Sequence, residues 1–179
     1  MTDLIALSRA FGTGEMGALA YYDQASFIAR QYGFSYGGDI ASGAAAIGDI
    51  GRDLGYNPQD LMAIIAGVMQ QTGVGSDAAA GDVKRILGEA ESPDMNEMFR
   101  EFGISLDQSF KDRMEELNAQ MRGMSQEERL NILSAAGSAR TGAAAAAMLA
   151  GMDYANQVKA KAEEEQRKAD EEAARREEE

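Results

Sequence analysis

The chain has 179 residues, with 30 acidic side chains against 17 basic ones for a formal net charge of −13, and it contains neither cysteine nor histidine. Those absences remove disulfides, thiolate nucleophiles, the ordinary neutral-pH base and the usual zinc ligands, while the charge disfavours direct contact with nucleic-acid phosphates or anionic membranes. Apolar residues make up 45% but aromatics only 7%, so a core has to be built from Leu, Ile, Met and Ala through close helix approach.

The opening segment shows no basic stretch leading into a long apolar one and is not read as a signal peptide. The spacing of Leu4, Ile5, Leu7 and Phe11 predicts a short helix over 3–10. Gly12-Thr13-Gly14-Glu15-Met16-Gly17 then matches the G-x-G-x-x-G dinucleotide pattern. A helix precedes it in place of a β-branched strand and no βαβ unit follows, so it reads as a turn. Gly37-Gly38 has the same reading, and Tyr21-Tyr22 and Tyr32 gather no basic residues that would suggest base stacking.

Further helices are expected near 15–32, 39–54, 58–72, 77–90, 93–102, 107–122 and 126–136, and one from about Ala139 towards the end. Their limits come from a recurring punctuation: glycine closes a helix, an apolar residue folds back, and Ser or Asn opens the next. It occurs at Gly33-Phe34-Ser35, Gly55-Tyr56-Asn57, Gly73-Val74-Gly75-Ser76 and Gly103-Ile104-Ser105. Pro58 and Pro93 stand at first helical positions, where a missing N–H costs nothing, and Ser125 to Glu128 form a capping-box pattern. Helical periods run through Leu61, Ile64, Ile65 and Val68, through Val83, Ile86 and Leu87, and through Phe110, Met114, Leu117 and Met121.

No catalytic, cofactor-binding or metal-ligating residue is assigned. Asp49 with Asp53 and Glu97 with Glu101 share helix faces but have no histidine or second carboxylate helix beside them, so they read as solvated surface. Ser134 and Ser138 lack a histidine base.

From Thr141 to Gly151 the chain is rich in alanine, with small-residue stripes at Gly142, Ala146 and Ala150 and at Ala143, Ala147 and Gly151. Such stripes let another backbone approach closely. Tight packing within the chain or self-association would both use them, with Met148, Leu149 and Met152 as the larger contacts. The weakly apolar run from Gly142 to Met152 is far shorter than the roughly 18 residues that span a bilayer.

Residues 159–179 carry almost no large apolar side chain, and acidic triplets recur at 163–165, 170–172 and 177–179. Acid-first pairs four residues apart are set up between Glu163 and Arg167, Glu164 and Lys168, Glu171 and Arg175, and Glu172 and Arg176. A helix of this kind holds itself together without a core, as a solvated single helix or weak coiled coil, and can serve as a stalk. The expected fold is therefore all-α: a compact array of short helices joined by Gly-containing corners over 1–137, an Ala-rich helix packing on it over 138–158, and a charged helix over 159–179.

Between Leu54 and Val158 several elements follow one another in order. They are the Gly55-Tyr56-Asn57 corner opening a helix with Leu61, the Gly73 to Ser76 corner, the Phe102-Gly103-Ile104 segment, and the Met114, Leu117, Met121 spacing. The Ser125 to Leu130 opening, Ala136 to Arg140 and the long Ala-rich helix complete the series. In this order the region resembles the conserved helical region of tail tape measure proteins of long-tailed bacteriophages. The resemblance implies a non-catalytic structural protein of the tail that sets tail length and takes part in tail assembly. It also implies association with itself and with tail components such as the tube protein or assembly chaperones, and a place in the virion tail after assembly in the host cytoplasm. It carries over no functional side chain. Members are typically much longer, so the chain would be either a fragment, with the charged helix as the stalk to the rest, or a small relative to which the ruler role does not carry over. The alternative reading is a non-enzymatic helical adaptor or secretion-associated binding module that offers the Met-rich and Ala-rich faces to a partner helix.

Overall fold

A computed structural model describes residues 2–32 and 38–178. The expected corner at Gly33-Phe34-Ser35, and Gly37, lie outside the described residues. Among those described there are ten helices and no strand: α1 (Thr2–Ala10), α2 (Gly14–Tyr32), α3 (Gly38–Ala46), α4 (Gly48–Asp53), α5 (Pro58–Thr72), α6 (Ser76–Gly88), α7 (Pro93–Glu101), α8 (Phe110–Gln120), α9 (Gln126–Ala136) and α10 (Ala139–Glu178).

The corners close as their chemistry requires. At Gly55, with φ at +98°, the Tyr56 N–H donates to the Gly51 carbonyl and the Gly55 N–H to that of Arg52. Gly103, at +68°, does the same through Ile104 to Phe99 and Gly103 to Arg100. These paired bonds satisfy the last carbonyls of each helix, and the following residues, Tyr56 and Ile104, fold into the core. Asn57, Ser92 and Ser125 cap α5, α7 and α9 by accepting from the N–H of Asp60, Met95 and Glu128. Of the Gly12 to Gly17 segment, Gly12 and Thr13 lie in the turn between α1 and α2, while Gly14 to Gly17 open α2, with positive φ at Gly12 and Gly14.

Three boundaries differ from expectation. The helix predicted over 39–54 breaks at Ile47, whose buried side chain and ψ of 7° redirect the chain into α4. The turn lets Gly48 approach Ala10 and Gly51 approach Leu61, where a Cβ would come to 3.0 and 2.7 Å of those side chains. The helix predicted from 107 begins at Phe110, because Ser109 supplies the cap, while Ser105 Oγ accepts from the Asp107 N–H in a local turn. Ser76 is the first residue of α6 and not its cap; Gly75 holds that position with no side-chain bond.

Helix α5 is the axis of the body. Leu61, Met62, Ala63, Ile64, Ile65, Ala66 and Val68 are all buried, so α5 is enclosed on every side, by α2, α3, α6 and the first half of α10. Its closest neighbour is α10: a Cβ at Gly67 would stand 2.7 Å from Gly151 Cα, and one at Gly151 would stand 2.9 Å from the Ile64 carbonyl oxygen. Two glycines facing each other thus bring the two backbones into direct contact.

Helix α10 runs 40 residues, about 60 Å at the helical rise. Its last buried residue is Val158, and every side chain from Glu163 to Glu177 is exposed. There Glu164 pairs with Lys168 at 2.5 Å and Glu172 with Arg176. The expected Glu163–Arg167 pair gives way to Arg167–Glu171 at 3.5 Å, since Arg167 has carboxylates one turn away in both directions.

Candidate functional site

Where α10 leaves the body, three distant parts of the chain meet around one carboxylate. Capping by Asn57 and Pro58 at the first helical position place Asp60 in the first turn of α5, where the helix dipole favours negative charge. Its side chain is 5% exposed. Lys111, from the first turn of α8, lies 3.1 Å from Oδ2, and Lys159, the residue after Val158 on α10, lies 2.6 Å from Oδ1. Burial pushes the Asp60 pKa up, but the hydrogen bonds and charges of Lys159 and then Lys111 outweigh it and hold the carboxyl below its usual value. Asp60 is therefore a fixed anion, unsuited to exchanging protons near neutrality.

A cavity of about 200 Å3 opens beside this cluster, bordered by Tyr56, Lys111, Glu115, Asn118, Arg122 and Lys159. The Tyr56 side chain is buried, and burial, with Glu115, Asp60 and Asp112 adding to it, raises its hydroxyl well above the ordinary phenol range. It remains protonated and able to donate.

Two further buried cations tie the periphery to the body. Arg129 of α9, 5% exposed, pairs with Asp153 of α10 at 2.6 Å and donates to the Met121 carbonyl. Arg113 of α8, 3% exposed, reaches Glu91 at 2.5 Å, donates to the Gln108 carbonyl, and lies over the rings of Phe99 and Phe110. Each secures a loop or helix end.

The candidate packing residues of α10 all lie inside the chain. A Cβ at Gly142 would overlap the Ser134 backbone of α9, the Ala146 carbonyl accepts from Gln126 Nε2, and Ala150 is buried near Arg129. Met148 and Leu149 are fully buried, and Met152 lines the cavity beside Asp60. The stripe at Gly142, Ala146 and Ala150 thus lies toward α9, while Gly151 of the other stripe meets α5. Asp49 and Asp53 both pair with the exposed Arg52, and Ser138 caps α10 through the Thr141 N–H. Among the described residues no three acidic side chains gather as a metal ion would require.

The Asp60 cluster and the buried Arg113 and Arg129 escape a reading of the sequence. Asp60 looks like any first-turn acid, and its two lysines stand on helices far along the chain. Arg113 offers a faint signal, since it directly precedes Met114 on the helix whose Phe110, Met114 and Leu117 face the core. At α9 the inversion is complete: Arg129 is buried and Leu130 exposed.

Residues 3–138 match the model of a family described as phage-related minor tail protein. The match takes in α1 and α2, which the sequence resemblance left out, and ends at Ser138, the cap of α10. No curated protein and no solved structure matches the chain.

Proposed function

The chain belongs to the phage-related minor tail protein family, and from that premise we propose that it is a region of a tail tape measure protein that acts structurally, not enzymatically, in setting tail length. The observation that carries this reading is the division of the molecule at Val158: a packed body, most of it within the family match, continues without a break into a charged helix whose described side chains from Glu163 onward are all exposed. A rigid helix converts residues into length at a constant rise, which is what a ruler needs. On this reading residues 1–137 and the packed stretch 138–158 form the anchoring unit, and 159–179 is the stalk.

The same reading places the protein in the virion tail, assembled in the host cytoplasm, in contact with further copies of itself and with tail components such as the tube protein or assembly chaperones. Direct binding to nucleic acid is disfavoured by the net charge of −13, and no described helix is long and apolar enough to cross a membrane. The adaptor alternative needs free Met-rich and Ala-rich faces, whereas Met62, Met95, Met98, Met114, Met121 and Met148 are all fully buried.

The test is made in the phage. An in-frame insertion of about 100 helix-forming residues after Glu165 should lengthen the tail by about 150 Å in electron micrographs. Tails that contain the enlarged protein yet keep their length would sink the ruler role, and absence of the protein from purified tails would sink the tail reading itself.

A further inference from the structure

The face that α10 buries in the body does not stop where the body stops. Ala145, Met148, Met152 and Ala155 are buried and succeed one another at alternating steps of three and four residues, the seam of a helix lying along its neighbours. Lys159 takes the next place and pairs with Asp60. The same steps run on through Ala162, Gln166, Ala169 and Ala173, and the last three of these are open to solvent. This stretch prolongs a face already used for packing and carries no charge from Ala162 to Ala173.

The positions beside the seam determine what can cover it. Glu165 and Glu172 stand on one flank, and Glu163, Asp170 and Glu177 on the other. The cations Lys161, Arg167, Lys168 and Arg175 stand on the back of the helix, where Arg167 and Lys168 pair with Glu171 and Glu164. Arg176, the next seam position, is drawn to Glu172. Among the described residues Glu163, Glu165 and Glu177 have no ion pair, and Asp170 accepts from Gln166 Nε2. A second copy is a poor cover for such a seam. Parallel pairing sets Glu165 against Asp170 of the other copy and Glu172 against Glu177, and antiparallel pairing sets each acidic flank against itself. Like charges placed opposite each other reject a partner. We propose that the outer half of α10 is a docking site for a helix of another protein, one with Lys or Arg on both flanks of its seam and large apolar residues within it. The bases answer the acids on both flanks, and side chains of the size of Leu or Ile fill the space that alanine leaves. The site is independent of the ruler reading, and copies of the chain meet, if they do, away from this stretch.

The test uses the intact chain and two synthetic helical peptides with leucine on the seam, one carrying Lys and the other Glu on both flanks, followed by fluorescence anisotropy. The Lys-flanked peptide should bind saturably and shift the methyl NMR signals of Ala169 and Ala173, and the Glu-flanked peptide should not bind. Any acidic protein attracts a basic peptide, so the deciding variant is Ala169→Glu, which adds negative charge but puts it on the seam. It should weaken binding about tenfold; equal or tighter binding would overturn the proposal. Glu165→Lys combined with Glu177→Lys, which breaks no ion pair, should weaken the Lys-flanked peptide about tenfold and admit the Glu-flanked one. Failure of the Lys-flanked peptide to bind overturns the site. So does association of the chain with itself in sedimentation at neutral pH that Ala169→Glu abolishes, since a second copy is then the occupant.

Discussion

At the scale of single residues, the strongest constraints are charges placed where sequence position gives no warning of burial. Asp60 is held between Lys111 and Lys159 at the point where three helices meet, and removing it leaves two ammonium groups facing each other. Because both lysines are partly exposed, solvent screens some of the penalty, and Asp60→Asn is expected to cost about 1–3 kcal/mol in urea unfolding at neutral pH. The sign of the pH dependence follows from a folded pKa lying below the unfolded one. The contribution is complete above the unfolded value of about 4 and fades as pH falls below it through the folded value. The difference between wild type and Asp60→Asn should therefore be constant from neutrality to mild acid and shrink in strong acid; a difference that grew on acidification would contradict the cluster's role.

Between elements, the deciding contacts are glycines, and their meaning differs from site to site. Gly67 faces Gly151 with no room for a methyl group, whereas Gly81, inside α6, has nothing within 4 Å of where its Cβ would stand. Gly67→Ala has to push α5 and α10 apart and should destabilise the chain by about 1–3 kcal/mol. Gly81→Ala should stabilise it by about 0.5–1 kcal/mol by reducing the entropy of the unfolded chain and improving helix propensity. Thermal melts of the two variants, side by side, check both signs. Most helix limits were legible in the sequence, because glycine C′ positions, Asn and Ser caps and Pro at first helical positions act within a few residues of each other. The break at Ile47 was not, since it depends on how closely α4 approaches Ala10 and Leu61. The late start of α8 was missed because Ser105 and Ser109 are both plausible caps, and the burial of Phe110 against Phe99 accompanies the second.

For the whole molecule, the two halves of α10 answer to different physics. The half up to Val158 fills the body between α5 and α9, Lys159 adds its pair with Asp60, and the described side chains from Glu163 onward are exposed, with ion pairs one turn apart along the helix. A chain ending at residue 162 should keep the melting midpoint of the longer one to within about 2 °C, since it loses almost no buried surface. A drop of many degrees would show that the outer helix stabilises the body. The all-α class, the corners and the charged final helix were determined by the sequence alone, because helix period, capping and pairs one turn apart are local properties of the chain. Only the tertiary structure decided that α5 is the axis, that Gly142 of α10 lies against α9 and Gly151 against α5, and that Asp60, Lys111 and Lys159 share one site. Those outcomes depend on which distant surfaces fit together, and shape complementarity between helices far apart in the chain leaves no periodic mark on either of them.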